Sequence, residues 1–168
     1  MKNYLIPECY TEQELLLIIG FNRKNDINKA SGCSSVISII KNSYDNRLAI
    51  GWIDQDPNKQ NNRGRDYFEY KEDVLPKYKV RLLKKPNKPH YLIEIEDDFE
   101  KWFEPIGNAK GIKRNAFGIT RTLHEYAKEE IKPNVRKYLD AVVKADSVPF
   151  EYIRQLITGL IEKHKNDL

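Results

Sequence analysis

One stretch constrains this chain more than any other: Leu48-Ala49-Ile50-Gly51-Trp52-Ile53-Asp54-Gln55-Asp56-Pro57, an apolar run that ends in two aspartates flanking one residue, then a proline. Apolar residues at both phases of a strand's alternation predict burial on both faces, as in the centre of an α/β sheet. Carboxylates two residues apart point the same way, because strand side chains alternate. At the last pleat they sit on the sheet's carboxyl edge, where open α/β folds place their ligands. Two converging oxygens suit a hard divalent cation such as Mg²⁺, which keeps several of its waters. A loop that begins with two solvated aspartates satisfies the same residues.

The rest of the chain has to decide between these readings. Its 168 residues, 40% apolar and 32% charged, describe one ordinary globular domain with room for a helical appendage. No stretch approaches the about 18 apolar residues that span a bilayer. Met1-Lys2-Asn3-Tyr4 runs into a strand-like segment with no apolar leader, so the expectation is a cytoplasmic chain without a membrane partner. Cys9 and Cys33 lack a partner motif and are expected as free thiols, and His90, His124 and His164 stand too far apart to build a zinc site. The net charge of +4 is mild. Cations gather in residues 59–65, 77–88 and 110–114, where they either meet phosphate backbones or keep the surface soluble.

In chain order, Tyr4-Leu5-Ile6 reads as a first strand, stopped by Pro7 and Glu8. Thr11-Glu12-Gln13-Glu14 fits a capping box with Thr11 as N-cap, ahead of a helix that buries Leu15, Leu16, Ile18 and Ile19 and stops at Gly20. Residues 22–32 read as polar loop. Ser34 or Ser35 caps a second helix over 36–42, and Asp45-Asn46 turns into the central strand. Residues 57–66 hold no apolar residue before Tyr67, which predicts a mobile loop leaving the acidic edge. Strands are expected over 79–83 and 91–95, a short helix over 97–103, and a basic loop over 108–118. Only helices follow, near 120–131, 134–145 and 150–163. The last carries Phe150, Ile153, Leu156, Ile157, Leu160 and Ile161 on one face, a core stripe.

A strand ending in Glu8, a capped helix and a later strand ending in Asp54-Gln55-Asp56 together resemble the Toprim (topoisomerase–primase) domain, which has a glutamate after its first strand and an Asp-x-Asp after a later one. Pro7-Glu8-Cys9-Tyr10-Thr11-Glu12-Gln13-Glu14-Leu15-Leu16 is similar to the Val-Glu-Gly-x-Thr-Glu-x-x-Leu-Leu opening of Toprim nucleases of the overcoming-lysogenisation-defect group and their small stand-alone relatives. Gly51-Trp52-Ile53-Asp54-Gln55-Asp56-Pro57 is similar to their second motif. His90-Tyr91-Leu92-Ile93-Glu94-Ile95-Glu96, with Phe99-Glu100-Lys101-Trp102, more loosely resembles the strand and helix that come next. The resemblance implies an α/β fold: a Toprim-like, mainly parallel sheet flanked by helices over residues 1–105, with a C-terminal all-helical extension, 106–168, packed on it.

For function, the resemblance implies a Mg²⁺- (or Mn²⁺-) dependent nuclease acting on phosphodiesters, in a phage-defence or mobile-element setting. Glu8, Asp54 and Asp56 are then catalytic: Glu8 as metal ligand or general base, the aspartates as metal ligands. Glu12 completes the metal's ligands or holds a second ion, although a helix N-terminus favours an acid there regardless. A metal lowers the pKa of water and offsets charge on the phosphate oxygens, and acids drawn from separate strands can converge on it. Lys59, Arg63, Arg65, Lys110, Lys113 and Arg114 are the candidate nucleic-acid contacts. Tyr67, Phe68 and Tyr70 are the candidates for base stacking. Glu94, Glu96 and Glu100 either join the metal cluster or face solvent from an edge strand. His90 either meets a phosphate or is surface.

One departure matters: the family glycine after the first glutamate is Cys9 here, and its Cβ could crowd a backbone that the family brings close to substrate. The alternative is therefore a weak or inactive Toprim-like module that binds nucleic acid or protein and works with a partner ATPase or as a homo-oligomer. A haloacid-dehalogenase-like phosphatase also uses Asp-x-Asp, but on its first strand, and here the pair follows Glu8.

Overall fold

A computed structural model of the chain describes residues 3–28, 30–55, 64–123, 125 and 132–166. Strand β1 (Leu5–Pro7) leads into helix α1 (Tyr10–Ile18), then α2 (Cys33–Ser43) and the central strand β2 (Ala49–Asp54). Next come β3 (Tyr70–Leu75), β4 (Val80–Lys84), β5 (His90–Ile95) and α3 (Phe99–Ala109). Two helices close the chain, α4 (Lys132–Ala145) and α5 (Val148–Lys163).

The five strands form one mixed sheet in the order β1-β2-β5-β4-β3. β1, β2 and β5 are parallel, and β4 and β3 are antiparallel. The sheet is thus parallel on only one side, which corrects the expectation of a mainly parallel one. The connections explain it: a parallel neighbour needs a crossover of a dozen or more residues. β3 is joined to β4 only by the turn Pro76–Tyr78, and β4 to β5 only by residues 85–89.

Residues 22–32 are also more than a loop. Ile27 bridges Leu5 in parallel, the Leu5 amide donates to the Asp26 carbonyl at 2.8 Å, and the Asn28 amide donates to the Leu5 carbonyl at 2.8 Å. A rudimentary lane of backbone therefore covers the free edge of β1, which an open edge would otherwise expose.

Alternation sends the two faces of β2 to different helices. Ala49 and Ile53 join Val36, Ile37 and Ile40 of α2, with Leu83 and Leu92. Ile50 and Trp52 join the larger cluster, in which Leu15 and Leu16 of α1 meet Trp102 and Phe103 of α3, Tyr138 of α4 and Phe150 of α5. The first helix departs from the capping box. Its N-cap is Cys9, in extended conformation, and no side chain caps it. Thr11 is already inside the helix, and Glu14 is buried and paired with Arg23 and Arg136. α3 runs past the expected residue 103 to Ala109 despite Pro105, because Trp102, Phe103 and Ile106 keep burying its inner face. Both cysteines are free. Among the described residues no helix is long and apolar enough to cross a membrane. The helix expected over 120–131 lies largely outside the described residues.

Candidate functional site

Parallel pairing of β1 with β2 brings two distant acids together. The Glu8 amide donates to the Trp52 carbonyl at 3.0 Å, so the ladder continues one residue past β1. The Glu8 carboxylate in turn accepts from the Asp54 amide at 3.2 Å. Glu12, one turn into α1, joins them and is buried with 1% exposure. Burial chiefly, with the charges of Asp54 and Glu8 adding to it, raises its carboxyl from 4.5 to about 7. The Cys9 thiol donates to Glu12 and opposes part of that rise. The thiol itself is pushed well above its usual range by burial and by the Glu12 charge, so Cys9 stays protonated at neutral pH.

Helix ends offset the crowding of acids. The Phe99 amide, at the start of α3, donates to the Asp54 carboxylate at 3.2 Å. α1 begins directly behind Glu8, and Gly32, the N-cap of α2, donates its amide to the Glu8 carbonyl at 3.2 Å. Three helices thus start around the acid pair, each with a partial positive charge at its N-terminus: that of α3 meets the Asp54 carboxylate, and that of α2 the Glu8 backbone.

A cleft of about 700 Å³ opens from Glu12 and Asp54 toward α3, lined further by Asp98, Glu100 and Glu104. Its cations are largely committed. Arg114 is 3.1 Å from Glu100 and 2.6 Å from Glu104, and Lys101 is 2.7 Å from Asp98. The basic loop does not act as one unit: Arg114 faces the cleft, Lys110 lies 3.9 Å from Asp146 at the start of α5, and Lys113 is exposed at the turn Arg114–Phe117. Arg65 sits on the opposite, α2 side, 3.3 Å from Glu94. Asp56, Lys59 and Arg63 fall outside the described residues.

Several expectations change here. β5 is interior to the sheet, so Glu94 is no edge acid: it is 2% exposed, in register with Ile53 and on the α2 face, away from Asp54. Glu96 pairs with Arg81 at 3.4 Å. His90 is wholly buried at the far end of β5, with Nδ1 2.6 Å from the Tyr67 hydroxyl, and burial lowers it from 6.5 to about 4. It has no reach to a phosphate at the acidic edge. Phe68 is core, and of the three aromatics named for stacking only Tyr70 is strongly exposed, at 56%. Sequence reading missed Asp98 as the α3 N-cap and Glu104 as a wall of the cleft. The Asp98 signal was present, since an aspartate followed by Phe-Glu-Lys is an ordinary helix start.

No protein-family model, curated protein or solved structure matches this chain. The site has to be judged on its own chemistry. Glu8, Glu12 and Asp54 offer hard oxygen donors, the type that Mg²⁺ and Mn²⁺ take. Among the described residues, however, no three His, Cys, Asp or Glu side chains are disposed to hold an ion, and Glu12 is turned to the Cys9 thiol. The donor types fit a divalent cation, and their closure around one would need Glu12 to leave Cys9 or Asp56 to contribute.

Proposed function

We propose that the acidic edge is the active site of a divalent-cation-dependent nuclease of Toprim type. The observation that carries this reading is the 3.2 Å contact from the Asp54 amide to the Glu8 carboxylate, which ties the first motif to an aspartate that lines an open cleft. Glu8, Asp54 and Asp56 would hold the cation, which supplies a water of lowered pKa and offsets charge on the phosphate. The chain's own residues do the rest. The α3 N-terminus fixes Asp54 through the Phe99 amide, the burial of Glu12 favours its protonated form near neutrality, and Arg114 lines the wall where a nucleic-acid backbone would pass.

The test is cleavage of supercoiled plasmid and of single-stranded RNA in Mg²⁺ and in Mn²⁺. Wild type is expected to cut at least one, and Asp54→Asn to lose on the order of a hundredfold or more in rate while keeping its melting temperature. Absence of metal-dependent cleavage on either substrate rejects the reading.

The Cys9–Glu12 contact favours a second one, a binding module that lacks catalysis, working with a partner ATPase or a second copy. Under it, Cys9→Gly frees Glu12. Gain of cleavage by that variant over an inactive wild type would show that the thiol blocks an otherwise competent site.

A further inference from the structure

On the α2 side of the acid pair lies a charge arrangement that the nuclease reading leaves unused. Glu94 is 2% exposed in the third strand of five, and an acid so placed needs partners. Arg81 of β4 approaches to 3.7 Å and Arg65 to 3.3 Å. Arg81 is shared with Asp73 at 3.1 Å and Glu96 at 3.4 Å, so its other donors are taken.

Arg65 differs. It follows Gly64, whose φ of +94° makes a left-handed turn pressed against α2, where an added Cβ would meet Ile37 at 3.0 Å. The guanidinium is therefore delivered from a fixed turn, with the side chain 15% exposed. The Cys33 thiol, in the first turn of α2, lies in the combined field of Glu8, Arg65 and Asp54. The Arg65 Nε is buried and, among the described residues, has no acceptor. A buried guanidinium donor left unmade is unfavourable and marks a place where an acceptor is missing.

A guanidinium presents its donors in a planar fork that matches phosphate oxygens. Arg114, in contrast, already has two acids. Resting on the reading of the acidic edge as a phosphodiester site, we propose that Arg65 binds a phosphate of the substrate strand on the α2 side of that edge, and that Glu94 is the positioning residue that aims it.

The test is fluorescence anisotropy of short labelled DNA and RNA in Ca²⁺ across a salt series, with melting temperatures taken alongside. Arg65→Gln is expected to weaken binding about tenfold and to lower the slope of log K against log salt by about one, as for one lost phosphate contact. Arg65→Lys should keep the slope and lose part of the affinity, because an ammonium lacks the fork. Glu94→Gln should keep the slope and weaken binding, and where cleavage is measured it should raise KM more than it lowers kcat, with Glu94→Asp restoring part of the loss.

Arg65→Gln with wild-type affinity and slope overturns the proposal, as does a wild type that binds neither nucleic acid. Glu94→Gln with wild-type affinity overturns the positioning role. If that variant fails to fold, the Arg65 variants decide alone. Arg65-dependent binding in a protein that cuts nothing removes the nuclease reading and keeps this one, and cleavage indifferent to Arg65 does the reverse.

Discussion

Glu12 and His90 are the two side chains whose burial should be visible in the pH dependence of stability. Glu12 is raised from 4.5 to about 7, so between those values the folded protein holds a proton that the unfolded chain releases. Its contribution is therefore best below 4.5, declines as pH climbs to 7 and levels off above. His90 is lowered from 6.5 to about 4, so in that window the unfolded chain takes up a proton that the folded one refuses, and stability falls as pH drops. From 4.5 to 6.5 the two slopes oppose each other, and wild type should show a flat profile there. Glu12→Gln, which can still accept from Cys9, removes one of them. Urea melts should find the variant more stable than wild type at pH 8, by on the order of 2 kcal/mol, with little difference at pH 4.5. The variant should also keep an uncompensated rise in stability from pH 4 to 6.5. An equal difference at both ends would mean that this carboxyl titrates normally.

At the level of elements, α2 packs on the central strand at Gly51, where there is no room for a side chain. A Cβ there would stand 2.6 Å from a Leu92 methyl and 2.7 Å from a Val36 methyl. Gly51→Ala should cost about 1–3 kcal/mol through overpacking, seen as a lower denaturation midpoint at unchanged m. The same strand shows what a sequence can reveal. β2 and β5 are buried on both faces, so their apolar stretches, Ala49 to Ile53 and Tyr91 to Ile93, could be read directly, and Glu8 and Asp54 stood out because each follows an apolar run. β3 was invisible because it is an exposed edge strand, Tyr-Lys-Glu-Asp-Val-Leu, with neither an apolar run nor alternation. The lane beside β1 was invisible for another reason: it contributes backbone hydrogen bonds, which leave no side-chain period. Glu94 was misread because acids alternating with Ile93 and Ile95 look alike whether they face water or a pair of arginines. The basic stretch 110–114 looked like one patch, since charge in sequence does not tell which residue turns inward.

Across the whole molecule, the last two helices complete the core of the sheet. Val135, Tyr138, Leu139, Val142, Phe150, Ile153 and Ile157 all have 0% exposure and belong to the same apolar cluster as Trp52, Ile93 and Phe103. α3 and α4 touch closely enough that a Cβ on Gly107 would lie 2.8 Å from Val142. Polar ties run the same way: Arg136 of α4 is 2.9 Å from the buried Glu14 of α1, and His164 after α5 is 2.7 Å from the Tyr91 hydroxyl on β5. Losing several of these side chains, at about 1.5–3 kcal/mol each, removes as much as the whole folding free energy of an ordinary domain, about 5–15 kcal/mol. A chain ending at residue 110 should therefore fail to fold alone. Circular dichroism should show no cooperative melt for it, and it should bind a hydrophobic dye, while the full chain melts in one transition that far- and near-ultraviolet signals share. A fragment melting sharply near the full-length midpoint would make the helices an appendage. In that case the acidic edge could be assayed without them, because Glu8, Glu12 and Asp54 all come from the part that remains.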